Sequence, residues 1–238
     1  LVYNLDRVIG TSPEDADGDS ERHGWIERRR RALLGLVAFS GSGTLLMGLL
    51  LEWKIFAALI PLGLLSITYS LPILPGREQG WRRLKDVPGL KIFLIALVWG
   101  VATVTLPAWH REVLPWSAEP LWLMGERALF IFIITLPFDV RDLERDARAG
   151  VRTLPHLLGV ERTRALAIAM LCFFMASATV RHQAAGFVWP LAMTTMLTGA
   201  LLARLDTERS ESYYVIYMEG TMLLQTLLVL GWWFSMEG

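Results

Sequence analysis

Seven apolar stretches constrain the fold of this chain more than any other feature of its sequence. They run over about residues 32–51, 55–74, 89–109, 121–140, 165–180, 185–203 and 213–234. A helix of about 20 mostly apolar residues crosses the roughly 30 Å hydrocarbon core of a bilayer. The composition, 53% hydrophobic and only 19% charged, with a mean hydropathy of +0.42, also departs from that of a soluble domain. The sequence therefore predicts an all-α, polytopic bundle of transmembrane helices.

The chain opens on Leu-Val-Tyr, directly ahead of a polar stretch. We expect these first residues to be the last turn of an earlier helix, so that seven complete helices follow an N-terminal stub. No loop between the apolar stretches is long enough to bury a core of its own. A second, soluble domain is therefore not expected.

The distribution of charge predicts how the chain lies in the membrane. The formal net charge is +0, so no overall field attracts nucleic acid, and none is expected as a partner. If the loops alternate sides, nineteen of the 23 Lys and Arg residues fall on one side and three on the other. Loops rich in Lys and Arg stay in the cytoplasm. We expect an integral, multi-pass protein of a bacterial inner membrane with its acidic and basic loops in the cytoplasm.

Three aspartates follow the fourth apolar stretch and share one face if its helix continues. Asp139, Asp142 and Asp146 are spaced 0, 3 and 7. Carboxylates so close repel each other unless a cation lies between them, and Mg²⁺ commonly bridges carboxylates to phosphates. In the alternative interpretation, the residues form a solvated helix end whose carboxylates make ordinary ion pairs with neighbouring arginines: Arg141, Arg145 and Arg148. The spacing alone leaves both interpretations open.

The residues that follow these aspartates resemble a known family motif. The run D-x-x-x-D-x-x-x-G-x-x-T-L-P-x-x-L-G, which starts at Asp142 and ends at Gly159, is similar to the second aspartate-rich motif of the UbiA superfamily of intramembrane prenyltransferases. The resemblance implies nine helices, of which the stub would be helix two and the seven apolar stretches helices three to nine. Residues 1–238 would then be a single membrane-embedded domain that lacks its first helix and most of its second.

Two further stretches resemble the same family in part. Tyr69-Ser-Leu-Pro, followed by the basic run Arg82-Arg-Leu-Lys85, resembles the segment between helices four and five, where a lysine or arginine meets the diphosphate. The first aspartate-rich motif departs from its usual form, Asn-Asp-x-x-Asp-x-x-x-Asp. Asn4 and Asp6 are its candidate ligands here, while the later acids lie in a Ser/Pro/Asp/Gly stretch that is typical of a loop.

The resemblance implies a Mg²⁺-dependent prenyltransferase that moves a polyprenyl group from its diphosphate to a hydrophobic acceptor, such as an aromatic ring, within the lipid bilayer. The aspartates at 139, 142 and 146 would be catalytic. The implied metal ligands are Asn4, Asp6, Asp139, Asp142 and Asp146. The implied diphosphate ligands are Lys85, Arg141 and Arg22, and the implied cavity residues are Tyr69 and Trp99. Ordinary packing for Tyr69 and Trp99, and a purely topological role for Arg22, stay open as alternatives.

Two other functions are consistent with parts of the sequence. A transporter could use the acidic mouth as a cation site, but charged residues through the midplane and inverted repeats, which would indicate one, are not seen. A non-catalytic relative could hold a lipid without turning it over. Ionisable residues within apolar stretches are usually functional or paired. Among them, Glu126 and Arg127 lie near the outer end and could reach the interface, and Glu219 could face a cavity.

Overall fold

The structure is a computed structural model that describes residues 20–50, 53–71, 74–75, 81–82, 84, 87, 89–148, 150–183 and 186–237. For residues 20–30, 70, 74–75, 81–82 and 237 it describes the backbone alone. Asn4, Asp6 and Lys85 lie outside the described residues, as does the predicted N-terminal stub. Arg22 lies in a helix whose backbone the structure describes, but its side chain is not described.

Helices dominate the part of the chain that the structure describes. They are α1 (Ser20–Leu50), α2 (Trp53–Ser70), α3 (Leu90–Gly100), α4 (Leu106–His110), α5 (Ala118–Arg141), α6 (Leu143–Arg148), α7 (Leu154–Leu158), α8 (Val160–His182), α9 (Val188–Ala203) and α10 (Glu219–Glu237). A π-helical turn, Val101–Thr105, joins α3 to α4, and a second one, Tyr213–Met218, leads into α10. Two short antiparallel strands pair β1 (Leu74–Pro75) with β2 (Trp81–Arg82).

The predicted fold class is confirmed. Five helices in the described ranges are long and apolar enough to cross a membrane: Arg31–Leu50, Leu90–His110, Ala118–Arg141, Val160–His182 and Tyr213–Met236. Two shorter apolar helices are Trp53–Tyr69 and Val188–Ala203. Each of these seven coincides with one predicted stretch to within a few residues. The protein is a predominantly helical, polytopic integral membrane protein.

Two helices differ in extent from the apolar stretches. The first stretch begins at about residue 32, whereas α1 already begins at Ser20 in the polar stretch before it. The residues between them are rich in Glu and Arg, which are good helix formers, so the helix extends beyond its apolar part. The second stretch is predicted to reach residue 74, but α2 ends at Ser70. The prolines at 72 and 75 explain this end, because proline disfavours helix in the residue before it and cannot continue one.

The chain forms two compact units. The first comprises the described residues up to Lys91 together with Leu106–Leu114, and the second comprises Ile92–Thr105 and the described residues from Pro115 onward. In the first unit, α1 packs against α2, and α2 packs against α4. Leu33 and Ile55 are its buried apolar side chains among the described residues, apart from Leu106 of α4. The prediction of a single domain over the whole chain stays a prediction.

Helix α5 is the centre of the second unit. Of the described residues, seventeen form the buried core cluster, and α5 supplies seven of them. Five consecutive residues, 130–134, are all buried, and a helix that is buried on every side must be surrounded by other elements. Helices α3, α8 and α9 and the turn Tyr213–Met218 supply most of the rest of this core, where Phe130 of α5 and Phe174 of α8 bring their ring centres within 5.2 Å. The surrounding core therefore holds α5 and its side chains in fixed positions.

A glycine allows α3 to approach α5 closely. A Cβ atom at Gly100 would lie 3.2 Å from the backbone oxygen of Met124 and 3.4 Å from the Cβ of Ala128. Small residues at such crossings let helix backbones pack together in membranes, where van der Waals contact drives association. Gly100 thus brings α3 against the central helix.

Glu126 anchors a polar cluster at the end of α5 that lies away from the aspartates. The residue is only 8% exposed. Its carboxylate accepts hydrogen bonds from Trp122 Nε1, at 3.1 Å, and from Ser177 Oγ, and it lies 3.0 Å from His182 Nε2. Helix α8 therefore covers the carboxylate and supplies two of its partners, Ser177 and His182.

We expect Glu126→Ala to lower the free energy of unfolding by about 3 kcal/mol, because a buried, hydrogen-bonded carboxyl group is removed and its former partners are left without an acceptor. Thermal unfolding in detergent micelles measures the effect. Glu119→Ala is the matched control on the same helix. The Glu119 side chain is 75% exposed, so its loss should change stability by less than about 0.5 kcal/mol. Equal effects of the two substitutions would contradict a stabilising role for the cluster.

Candidate active site

The aspartate motif begins where α5 ends. Asp142 forms a turn between α5 and α6, but the helical hydrogen-bond pattern continues through it. The Asp142 N–H donates to Phe138 O at 2.9 Å, and the Asp146 N–H donates to Asp142 O at 2.8 Å. Residues 139, 142 and 146 therefore keep their helical spacing and their common face, as predicted.

The Asp142 carboxylate is almost fully buried and bound by two arginines. The residue is 7% exposed. Arg141 Nε donates to Oδ1 at 2.9 Å, Arg141 Nη2 donates to Oδ2 at 3.1 Å, and Arg145 Nη2 donates to Oδ2 at 2.8 Å. The ion pairing of the alternative interpretation is thus present at Asp142, but the carboxylate is buried and not solvated as that interpretation predicts. Arg148 instead donates to the backbone oxygen of Glu144 at 3.5 Å.

Aromatic rings hold the Arg141 guanidinium from another side. Its central carbon lies 5.0 Å from the centre of the Phe138 ring and 5.6 Å from the centre of the Tyr214 ring. Glu211 and Glu219 are near enough to act on it electrostatically. Arg141 is therefore the point at which α5 meets the turn Tyr213–Met218.

The remaining residues of the motif shape the chain between α5 and α8. Gly150, with φ of +70°, ends α6: its N–H donates to Ala147 O, and the N–H of Val151 donates to Asp146 O. This pair of bonds is a Schellman motif, which favours glycine because glycine adopts positive φ without strain. Thr153, 2% exposed, precedes α7, and its Oγ1 lies 2.9 Å from His156 Nδ1.

Gly159 separates α7 from α8 in a conformation that few other residues adopt. Its φ is +78° and its ψ is 163°, a region that is essentially restricted to glycine. The N–H of Gly159 donates to Pro155 O, and its own carbonyl accepts both the N–H and the hydroxyl of Thr163. The motif residues Gly150, Thr153 and Gly159 thus determine the conformation of the connection that follows the aspartates.

The donor atoms in the motif are of the kind that Mg²⁺ requires. Asp139 and Asp142 are 2% and 7% exposed, and Asp146 is half-buried. Their carboxylate oxygens are hard ligands, so the chemistry of the donor set fits the ion. In the described ranges, no group of three His, Cys, Asp or Glu side chains is arranged to hold a metal ion. The metal role of these three aspartates stays a prediction.

The other predicted site residues lie in different parts of the chain. Tyr69 is half-buried near the end of α2, in the first unit, and Trp99 in α3 is 44% exposed. Their cavity roles stay predictions. Arg141, in contrast, forms an ion pair with Asp142.

Sequence reasoning did not identify Tyr214, which is completely buried beside Arg141. Its one signal in the sequence is a pair of adjacent tyrosines at the start of the last apolar stretch. Such a pair is more typical of a membrane interface than of a site.

We expect Gly159→Ala to destabilise the protein by about 2 kcal/mol, because a side chain at this φ and ψ is strained. Gly125→Ala is the matched control. Gly125 is an exposed residue within α5, and a Cβ atom added there would meet nothing within 4 Å, while alanine is the better helix former. Thermal unfolding should show a loss for the first variant and no loss for the second. A Gly159→Ala protein as stable as wild type would contradict the structural role of this glycine.

The comparisons with known proteins give one positive result. No curated protein and no solved structure matches the chain. The profile of the UbiA prenyltransferase family matches residues 23–235. This match covers nearly the whole chain and includes α5 and the aspartate motif that follows it. The chain belongs to the UbiA prenyltransferase family.

Proposed function

We propose that the protein is an intramembrane prenyltransferase that moves a polyprenyl group from its diphosphate to a hydrophobic acceptor. One observation carries the proposal: a buried aspartate of the family motif is held by two arginines at the end of the central helix. Carboxylate oxygens suit Mg²⁺, and guanidinium groups suit phosphate oxygens. Both halves of a magnesium–diphosphate ligand thus have matching groups around Asp142.

In this proposal Asp139, Asp142 and Asp146 hold Mg²⁺, together with Asn4 and Asp6 of the first motif. Bound Mg²⁺ would neutralise charge on the diphosphate and so assist its departure. Asp142 is already oriented by Arg141 and Arg145. Preorientation lowers the cost of arranging the ligand during the reaction.

The basic groups act on the leaving diphosphate. Arg141 has five N–H donors, of which Asp142 takes two. The other donors fit phosphate oxygens, as do those of Arg145 and of Lys85 and Arg22. When the bond between the first prenyl carbon and oxygen breaks, its electron pair goes to the diphosphate, and fixed cations stabilise the negative charge that develops.

The allylic cation that is left must be kept from water until the acceptor attacks it. Leu136 and Val140, which flank Asp139 in α5, are completely buried and apolar, so water is excluded from that side of the motif. Aromatic rings such as those of Tyr69 and Trp99 would attract the cation through their π-faces. The acceptor then forms the new bond to the prenyl carbon and releases a proton.

The proposal is tested by incubating membranes that contain the protein with radiolabelled farnesyl or geranylgeranyl diphosphate, Mg²⁺ and a lipid extract. A labelled lipid product is expected. Asp142→Asn should reduce its rate of formation about a hundredfold, because the amide carries no negative charge with which to hold Mg²⁺ and to pair with Arg141 at the leaving diphosphate.

Glu144→Gln is the matched control, because Glu144 is an exposed carboxylate in the same segment. It should leave the rate unchanged. Absence of any magnesium-dependent diphosphate binding by the wild type would sink the proposal. Tight binding with no product would favour the non-catalytic, lipid-binding alternative, and movement of an unaltered substrate across the membrane would favour a transporter.

A further inference from the structure

The π-helical turn Tyr213–Met218 packs against the aspartate motif. Phe138 of α5 and Tyr214 of the turn bring their ring centres within 5.9 Å. Tyr213, Tyr214 and Met218 are buried, whereas the residues between them, 215–217, are exposed. π-Helical turns are rare and are found disproportionately at functional sites. The position of this one makes it a candidate for a role in the reaction.

Two hydroxyl groups fix the turn to the segment that precedes it. The Tyr214 hydroxyl donates to Asp206 O at 2.6 Å, and the Tyr213 hydroxyl donates to Leu201 O. The two rings also contact each other edge to face, with centres 5.2 Å apart. The Tyr214 ring is completely buried, so it forms a fixed surface rather than a mobile side chain.

That fixed surface lies against the guanidinium of Arg141. Arginine side chains have many rotamers, and holding one in place opposes its entropy. Here Phe138 and Tyr214 contact the guanidinium through their rings, and Asp142 accepts two of its hydrogen bonds. Arg141 is therefore held in one orientation before any ligand arrives.

Two further carboxylates lie near Arg141. Besides Asp142, the described groups that act electrostatically on it include Glu211, Glu219 and Tyr214 itself. Both glutamates are exposed, whereas Asp142 is only 7% exposed. The aromatic surface favours the orientation in which Arg141 remains on Asp142.

We propose that Tyr214 is a positioning residue for diphosphate binding and acts through Arg141. The inference rests on the proposed function, because it assigns the donors of Arg141 that Asp142 leaves available to the diphosphate oxygens. Tyr214 itself need not touch the substrate. Its ring, rather than its hydroxyl, supplies the contact with Arg141.

The test is the affinity of the purified full-length protein for geranylgeranyl diphosphate in the presence of Mg²⁺, measured by calorimetric titration. Tyr214→Leu should weaken binding about tenfold, because the cation–π contact is lost and Arg141 is released. Tyr214→Phe keeps the ring and should stay within about twofold of wild type. Tyr217→Leu is the matched control, since Tyr217 lies in the same turn but is 57% exposed.

A double-variant comparison separates positioning from general packing. In an Arg141→Leu background, Tyr214→Leu should cause no further loss of affinity, because its effect acts through Arg141. A further loss of about tenfold there, or an equal loss for Tyr217→Leu, would overturn the positioning role. So would unchanged affinity of a folded Tyr214→Leu protein.

Tyr214→Met, which keeps much of the side-chain volume without a ring, replaces Tyr214→Leu if that variant unfolds. It carries the same expected loss. If the wild type itself shows no magnesium-dependent affinity, the proposed function fails and this inference fails with it. If the wild type binds geranylgeranyl diphosphate and both ringless variants, Tyr214→Leu and Tyr214→Met, bind it as tightly as the wild type does, the positioning role alone fails.

Discussion

The ion pairs of Asp142 with Arg141 and Arg145 are the interaction on which the candidate site depends. A carboxylate that is 7% exposed in a protein surrounded by lipid is costly unless charged hydrogen-bond donors compensate it. The two arginines provide that compensation. They also place a carboxylate, which suits a magnesium ion, beside guanidinium groups, which suit a diphosphate.

The rest of the second unit explains why these groups stay in place. Helix α5 is enclosed along residues 130–134, so its end cannot shift without disturbing the core. Beyond it, Gly150 and Gly159 turn the chain back towards α8, while the tyrosines of the π-helical turn hold Arg141 from the side. A rigid helix and two fixed connections thus support a small polar site, as preorganised sites require.

The features that the sequence predicts well are local ones. Apolar stretches of membrane length and the helical spacing of residues 139, 142 and 146 follow from period and composition alone. Long-range contacts could not be predicted in this way. His182 meets Glu126 across 56 residues, and Tyr214 meets Arg141 from a different helix. Neither residue carries a local pattern that indicates its partner, because such pairs are set by tertiary packing. The same limit applies to the aspartates: their common face was predictable, but the capture of Asp142 by two arginines was only one of two interpretations that the spacing left open.

Prenyl transfer differs from hydrolysis and from simple binding in the stoichiometry of its products. The most direct measurement is therefore a parallel count, with purified protein, Mg²⁺, labelled prenyl diphosphate and lipid extract, of the pyrophosphate released and the prenyl groups attached to lipid. Transfer predicts equal amounts of the two, rising together with time. Pyrophosphate release without a prenylated lipid, or the absence of both products while the protein remains folded, would contradict it.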